Sequence, residues 1–128
     1  MVKVPIRVPT AEEQANTNGL TKVALNRIAK LRDAPPELEI PVSRVSVGGN
    51  LLLCGLPCEP FTEIGREAKR LSSAKMTFFT CLTDGSFGYL PTDDAYDEGA
   101  YETDSAIFAP GASCALLRAI HEMTTPLK

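Results

Sequence analysis

The sequence predicts an α+β domain, with a mixed or antiparallel sheet of about four strands packed against helices. Three observations carry that prediction. Apolar and polar residues alternate with strand period near the start and middle of the chain. Two compact apolar runs, Leu51–Cys54 and Met76–Leu82, have the length of buried strands. Two longer stretches, Pro60–Leu71 and the segment after Ala112, place their apolar residues at helical spacing. With 128 residues the chain fits a single domain over 1–128 and is long enough to bury a core.

In chain order, Val2, Val4, Ile6 and Val8 alternate with Lys3, Pro5 and Arg7. Pro5 cannot donate to a ladder, so this strand belongs at a sheet edge. Thr10 and Glu13 form a capping box that opens a helix. Leu20, Val23, Ala24, Ile28 and Leu31 mark the apolar face of the next helical stretch, which Pro35-Pro36 ends. Leu38, Ile40 and Val42 alternate until the phase slips to Val45 and Val47, which implies a bulge near Ser43-Arg44. Gly48-Gly49-Asn50 is a hairpin turn into Leu51–Cys54.

Pro60 suits a first helical position, with Phe61, Ile64, Gly65, Ala68 and Leu71 on one stripe behind it. Met76–Leu82 is apolar on both faces, as a central strand would be. Thr83-Asp84-Gly85-Ser86 turns the chain, and Thr92 caps a short helix with Asp93 and Asp94 in its first turn. Ala112, Ala115, Leu116, Ala119, Ile120 and Met123 line the core face of a closing helix.

Composition narrows the function. Thirteen basic and 16 acidic residues give a net charge of −3, which is no footprint for nucleic acid or an anionic membrane. No apolar run approaches the length of a transmembrane segment. No signal peptide pattern opens the chain, so a cytoplasmic, reducing location is expected. Cys54, Cys58, Cys81 and Cys114 contain no C-x-x-C pair. They read as free cysteines, with Cys54 and Cys81 in strands and Cys114 on a core-facing helix. His121, on the closing helix, reads as a solvated residue rather than a base. The acidic run Asp93, Asp94, Asp97, Glu98, Glu102 and Asp104 lacks the alternate spacing of an EF-hand and reads as a solvated face.

Two segments hold more information. In Gly55-Leu56-Pro57-Cys58-Glu59-Pro60-Phe61-Thr62-Glu63-Ile64-Gly65-Arg66, Glu59 lies between a buried strand and a helix start. In Phe87-Gly88-Tyr89-Leu90-Pro91-Thr92 and onward to Tyr101-Glu102, tyrosines recur on a glycine- and proline-bearing loop. By their chemistry alone, Glu59 reads as a helix-start acid and the tyrosines as packing at a core rim.

Together, in this order and at this spacing, the two segments resemble the C-terminal part of the neutral/alkaline, non-lysosomal ceramidase catalytic domain and its short bacterial relatives. The resemblance covers about residues 38 to 120. It implies a zinc-dependent amidohydrolase of the N-acylsphingosine type, acting on an N-acyl lipid in lipid metabolism. It implies that Glu59 and Tyr89 supply two of four zinc ligands and that Tyr101 stabilises the oxyanion. Those roles are chemically coherent, since a divalent ion favours the ionised carboxylate and lowers a phenol's pKa, and a phenolic O–H can donate to a developing alkoxide.

The departures matter too. In the family, two histidine ligands and a nucleophilic serine come from a more N-terminal portion, which this chain lacks. His121 falls outside the matching blocks. Cys58 stands where relatives usually have glycine, and Ala100 replaces one glycine of the family's Gly-Gly-Tyr-Glu block. The expectation is therefore a C-terminal portion that is inactive alone and binds zinc weakly. Its partner would be the missing N-terminal portion, or a self-association surface, and such a piece should expose an apolar patch. The alternative is a non-catalytic interaction or assembly module that kept the fold. Under the catalytic reading, Glu59 and Tyr89 approach each other at one sheet end, with Tyr101 on the same side.

Overall fold

The computed structural model describes residues 1–15, 19–31 and 36–124. The chain is α+β, as the patterning predicts, but among the described residues its strands divide among three small sheets instead of one. β1 (Val2–Pro5) pairs antiparallel with β2 (Glu37–Ile40), Val4 opposite Leu38 and Val2 opposite Ile40. Between them lie α1 (Ala11–Ala15) and α2 (Gly19–Ile28). The Thr10–Glu13 capping box forms reciprocally: Thr10 N–H donates to the Glu13 carboxylate at 3.0 Å, and Glu13 N–H to Thr10 Oγ1 at 3.1 Å. Ala24 and Ile28 are buried as expected, whereas Val23 is exposed because it falls on the outer side of α2. Pro35 lies outside the described residues.

The phase slip after Ile40 is a change of sheet. Pro41 and Val42 interrupt the ladder, and β3 (Ser43–Val47) pairs antiparallel with β4 (Leu51–Gly55) through the expected Gly48–Asn50 turn. β4 in turn pairs in parallel with β6 (Met76–Thr80), giving the order β3-β4-β6. β4 is therefore the central strand, and β6 lies at an edge. That corrects the central placement of Met76–Leu82. Its alternate side chains split: Phe79 leans on the core, while Met76 and Phe78 face outward. Val45 and Val47 do share a face, but it too is exposed.

After β4 the chain forms β5 (Glu59–Pro60) and α3 (Thr62–Leu71). Pro60 is thus a strand residue rather than the first of the helix, and Phe61 is the extended residue before α3, at φ −59° and ψ 151°. Beyond β6, β7 (Tyr89–Leu90) pairs in parallel with β5. Then come α4 (Ala95–Glu98), α5 (Tyr101–Ser105) and the closing α6 (Ala112–Thr124). Asp94, not Thr92, occupies the position before α4. Among the described residues no helix is long and apolar enough to cross a membrane.

The core gathers Val4, Ile6, Ile40, Leu56, Ile64, Leu90, Phe108, Leu116 and Ile120, all nearly or fully inaccessible. Leu116 and Ile120 are the predicted stripe of α6, which packs on α3 and β1. Asp93 leaves the solvated acidic face assigned to it: its carboxylate accepts from Gly111 N–H at 2.9 Å and Ser113 Oγ at 3.2 Å, fixing the start of α6. Arg7 ties the N-terminal segment to the end of α5. It pairs with Glu13 and donates to the carbonyls of Asp104 and Ala106 at 3.1 and 3.2 Å.

All four cysteines are free, but only Cys54 and Cys58 are buried. Cys81 sits just past β6, and Cys114 lies on the outer side of α6. Both are exposed, against the buried placement their apolar neighbours suggest.

Candidate functional site

Glu59 and Tyr89 meet because two very short strands are bonded to each other. Each comes from the segment that follows a strand of the β3-β4-β6 sheet, and β4 and β6 run in parallel, so both segments leave the same sheet end. Glu59 N–H donates to the Gly88 carbonyl at 2.9 Å, and Phe61 N–H to the Leu90 carbonyl at 3.0 Å. The register pairs Glu59 with Tyr89 and Pro60 with Leu90. Directly paired residues on neighbouring strands lie about 5 Å apart.

Sequence features enforce this arrangement. Leu56 and Pro57 are buried and carry the chain from β4 to the site. Leu56 N–H donates to the Thr80 carbonyl at 3.0 Å, and Phe87 N–H donates to the Pro57 carbonyl at 2.8 Å. Gly88 adopts φ +79°, and a Cβ there would stand 2.5 Å from Arg27 Nη1. Only glycine accepts that backbone angle without strain, and its missing side chain lets the Arg27 guanidinium lie over the strand that presents Tyr89.

Tyr101 completes the cluster. Its ring meets that of Tyr89 edge to face, with centroids 5.9 Å apart and planes at 77°. Tyr101 opens α5, whose first turn is closed by Ala100 N–H donating to Thr103 Oγ1 at 2.8 Å. It is more than half exposed. Tyr96, the remaining tyrosine, is structural: its hydroxyl donates to the Phe108 carbonyl at 2.8 Å.

An open cleft of about 300 Å³ runs between Glu59, Pro60, Phe61, Thr62 and Glu63 on one side and Tyr89 and Glu102 on the other. Its charge is negative. The Glu59 carboxylate is the main cause that pushes the Tyr89 phenol above its ordinary range, followed by desolvation, Tyr101 and Glu102, while Arg27 opposes them. Glu102 was not singled out from the sequence as a site residue. Its signal was its place beside Tyr101, hidden in a run of acids. Cys58, buried next to Glu59, has its thiol pushed up to about 12, first by burial and then by Cys81 and Glu59.

Glu59 and Tyr89 together offer a carboxylate and a phenol to a cation. Among the described residues no three His, Cys, Asp or Glu side chains converge to hold a metal ion. His121 is on α6, its Nδ1 3.3 Å from the Leu71 carbonyl at the far end of α3, and does not join the cluster.

No protein-family profile matches the chain, and no curated protein sequence does. Solved structures do. A ceramidase complexed with C2 superposes on 76% of this chain with a TM-score of 0.63 and 20% identity. Neutral ceramidase from Pseudomonas aeruginosa superposes on 97% with a TM-score of 0.66 and 16% identity. The fold is that of part of a neutral ceramidase. This chain spans 16% and 25% of the two ceramidase chains, so most of each ceramidase lies outside the shared region.

Proposed function

We propose that this chain is the C-terminal portion of a ceramidase-like, zinc-dependent amidohydrolase that cleaves an N-acyl amide. The observation that carries the reading is the direct pairing of Glu59 with Tyr89, with the Tyr101 ring against Tyr89. In this reading Glu59 and Tyr89 are metal ligands and Tyr101 is the oxyanion donor.

The donor chemistry suits a divalent cation. Glu59 first, then desolvation, Tyr101 and Glu102, raise the Tyr89 phenol above its ordinary range, and a cation beside it would push the other way. When bound, zinc supplies a Lewis acid for an acyl carbonyl. The chain's own groups do the rest of what this portion can do. Glu59 and Tyr89 line the cleft, and the Tyr101 O–H is available to donate to oxygen charge that develops on an amide carbonyl. Two oxygen donors are half of a tetrahedral set, so the chain alone holds zinc loosely and hydrolyses nothing.

Zinc titration of the purified chain, followed by the ultraviolet band of tyrosine ionisation, tests the metal role. A weak, saturable rise in phenolate absorbance is expected, absent in Tyr89→Phe and reduced in Glu59→Gln. N-acyl amide hydrolysis is expected only in a polypeptide that also carries the histidines and the serine. The reading fails if Tyr89→Phe responds to zinc like the parent, or if the completed protein binds no zinc and cleaves no amide.

A further inference from the structure

The outer face of the β3-β4-β6 sheet is apolar and uncovered. Register puts Val45, Leu53 and Phe78 in one row and Val47, Leu51 and Met76 in the next. Phe78 is 50% exposed and Met76 58%, and Val45 and Val47 exceed half. The opposite face of β4 is different: Leu52 and Cys54 are buried in the body of the domain. Neither row carries a charged residue. A contiguous exposed apolar face of this kind marks an interaction surface.

We propose that this face is the seat of the remainder of the ceramidase-like fold, the polypeptide layer that would also bring the other metal ligands to the cleft. The inference rests on the functional reading above, and two observations choose this occupant. The first is size. Three strands of five residues present about 240 Å², against about 800 Å² per partner in a standard stable interface. A second copy seated on this face alone would be held too weakly, so whatever covers it is anchored elsewhere as well, as the rest of a domain is. The second is proportion. Three quarters or more of each superposed ceramidase lies outside the region this chain matches. β4 forms the middle of the face and leads through Leu56–Cys58 to Glu59, so a layer docked here would be in fixed register with the cleft.

Paired substitutions test the inference. In this chain, Val47→Lys and Phe78→Lys are expected to leave Tm within about 3 °C of the parent, since both side chains already meet water. At the superposed positions of intact Pseudomonas aeruginosa neutral ceramidase, lysine is expected to abolish folded enzyme. Because a failure to fold has many causes, the solved ceramidase supplies a second readout. The aligned side chains should be buried there, against segments outside the matched quarter. Exposure of those side chains, or lysine variants as stable as the parent enzyme, would overturn the proposal. So would sedimentation velocity showing a tight dimer of this chain at micromolar concentration that the lysine variants dissociate, since the occupant would then be a second copy. These readouts report burial and association, not zinc or hydrolysis, so a failure of the docking face is distinguishable from a failure of the catalytic reading.

Discussion

Glu59 and Tyr89, distant in sequence, are direct partners across two parallel two-residue strands, and the carboxylate is the largest influence on the phenol. Removing that charge should ease ionisation of the phenol. In Glu59→Gln the Tyr89 pKa is expected to fall toward the ordinary tyrosine value. Titration of ring-labelled tyrosine by carbon-13 NMR would follow it. A Tyr89 pKa unchanged by the substitution would mean that the two side chains diverge despite their paired backbones.

The three tyrosines should separate by stability. Tyr96→Phe leaves the buried Phe108 carbonyl without its donor and is expected to cost about 1–3 kcal/mol. Tyr89→Phe and Tyr101→Phe keep the edge-to-face ring pair and should stay within about 0.5 kcal/mol of the parent. Urea unfolding of the three variants compares them directly.

Thiol labelling should divide the cysteines in half. Cys81 and Cys114 are exposed and should react with a disulfide reagent in the native protein. Cys54 and Cys58 are buried, and burial holds both thiols protonated, Cys58 to about 12. They should label only on unfolding. Rapid reaction of Cys58 near neutral pH would show that the segment before Glu59 opens readily.

Acid should weaken the tie between the N-terminal segment and α1. Glu13 has its carboxyl held below the ordinary range, first by the Thr10 N–H and then by Arg7. A lowered folded-state pKa adds stability above the unfolded value, and that stability is lost as pH falls through the folded one. Glu13→Gln is expected to cost about 1–2 kcal/mol at neutral pH. The gap to the parent should close as pH falls below the ordinary carboxylate range. Denaturation curves over pH 7 to about 3 give both quantities.

Elements governed by local chemistry were legible in the sequence. The Thr10–Glu13 box, the Gly48–Asn50 turn and the core stripe of α6 depend on neighbours a few residues away, and each formed where the pattern put it. Sheet membership was not legible. The alternation through Val42, Val45 and Val47 reads the same whether a strand bulges or leaves for another sheet, because period 2 reports faces and not partners. Met76–Thr80 looked central because apolar residues on both faces imply two covered faces, yet here one face is open. Pro60 satisfied a helix-start rule, but Phe61 N–H bonding to Leu90 drew it into β5. At the site, the position of Glu59 before a helix said nothing of Tyr89. That link came only from the order and spacing of the two motifs. Asp93 and Glu102 were indistinguishable within one acidic run, and tertiary contacts alone separated a helix anchor from a cleft wall.

Two of the bonds that join β5 to β7 are main-chain to main-chain, from Glu59 N–H and Phe61 N–H. No ordinary side-chain replacement deletes such a bond, so the pairing is tolerant of drift in the surrounding sequence. Proline is the exception, since it removes the donor outright. It already sits at position 60, the one residue of the three between the two donating amides, where the clasp asks nothing of its nitrogen.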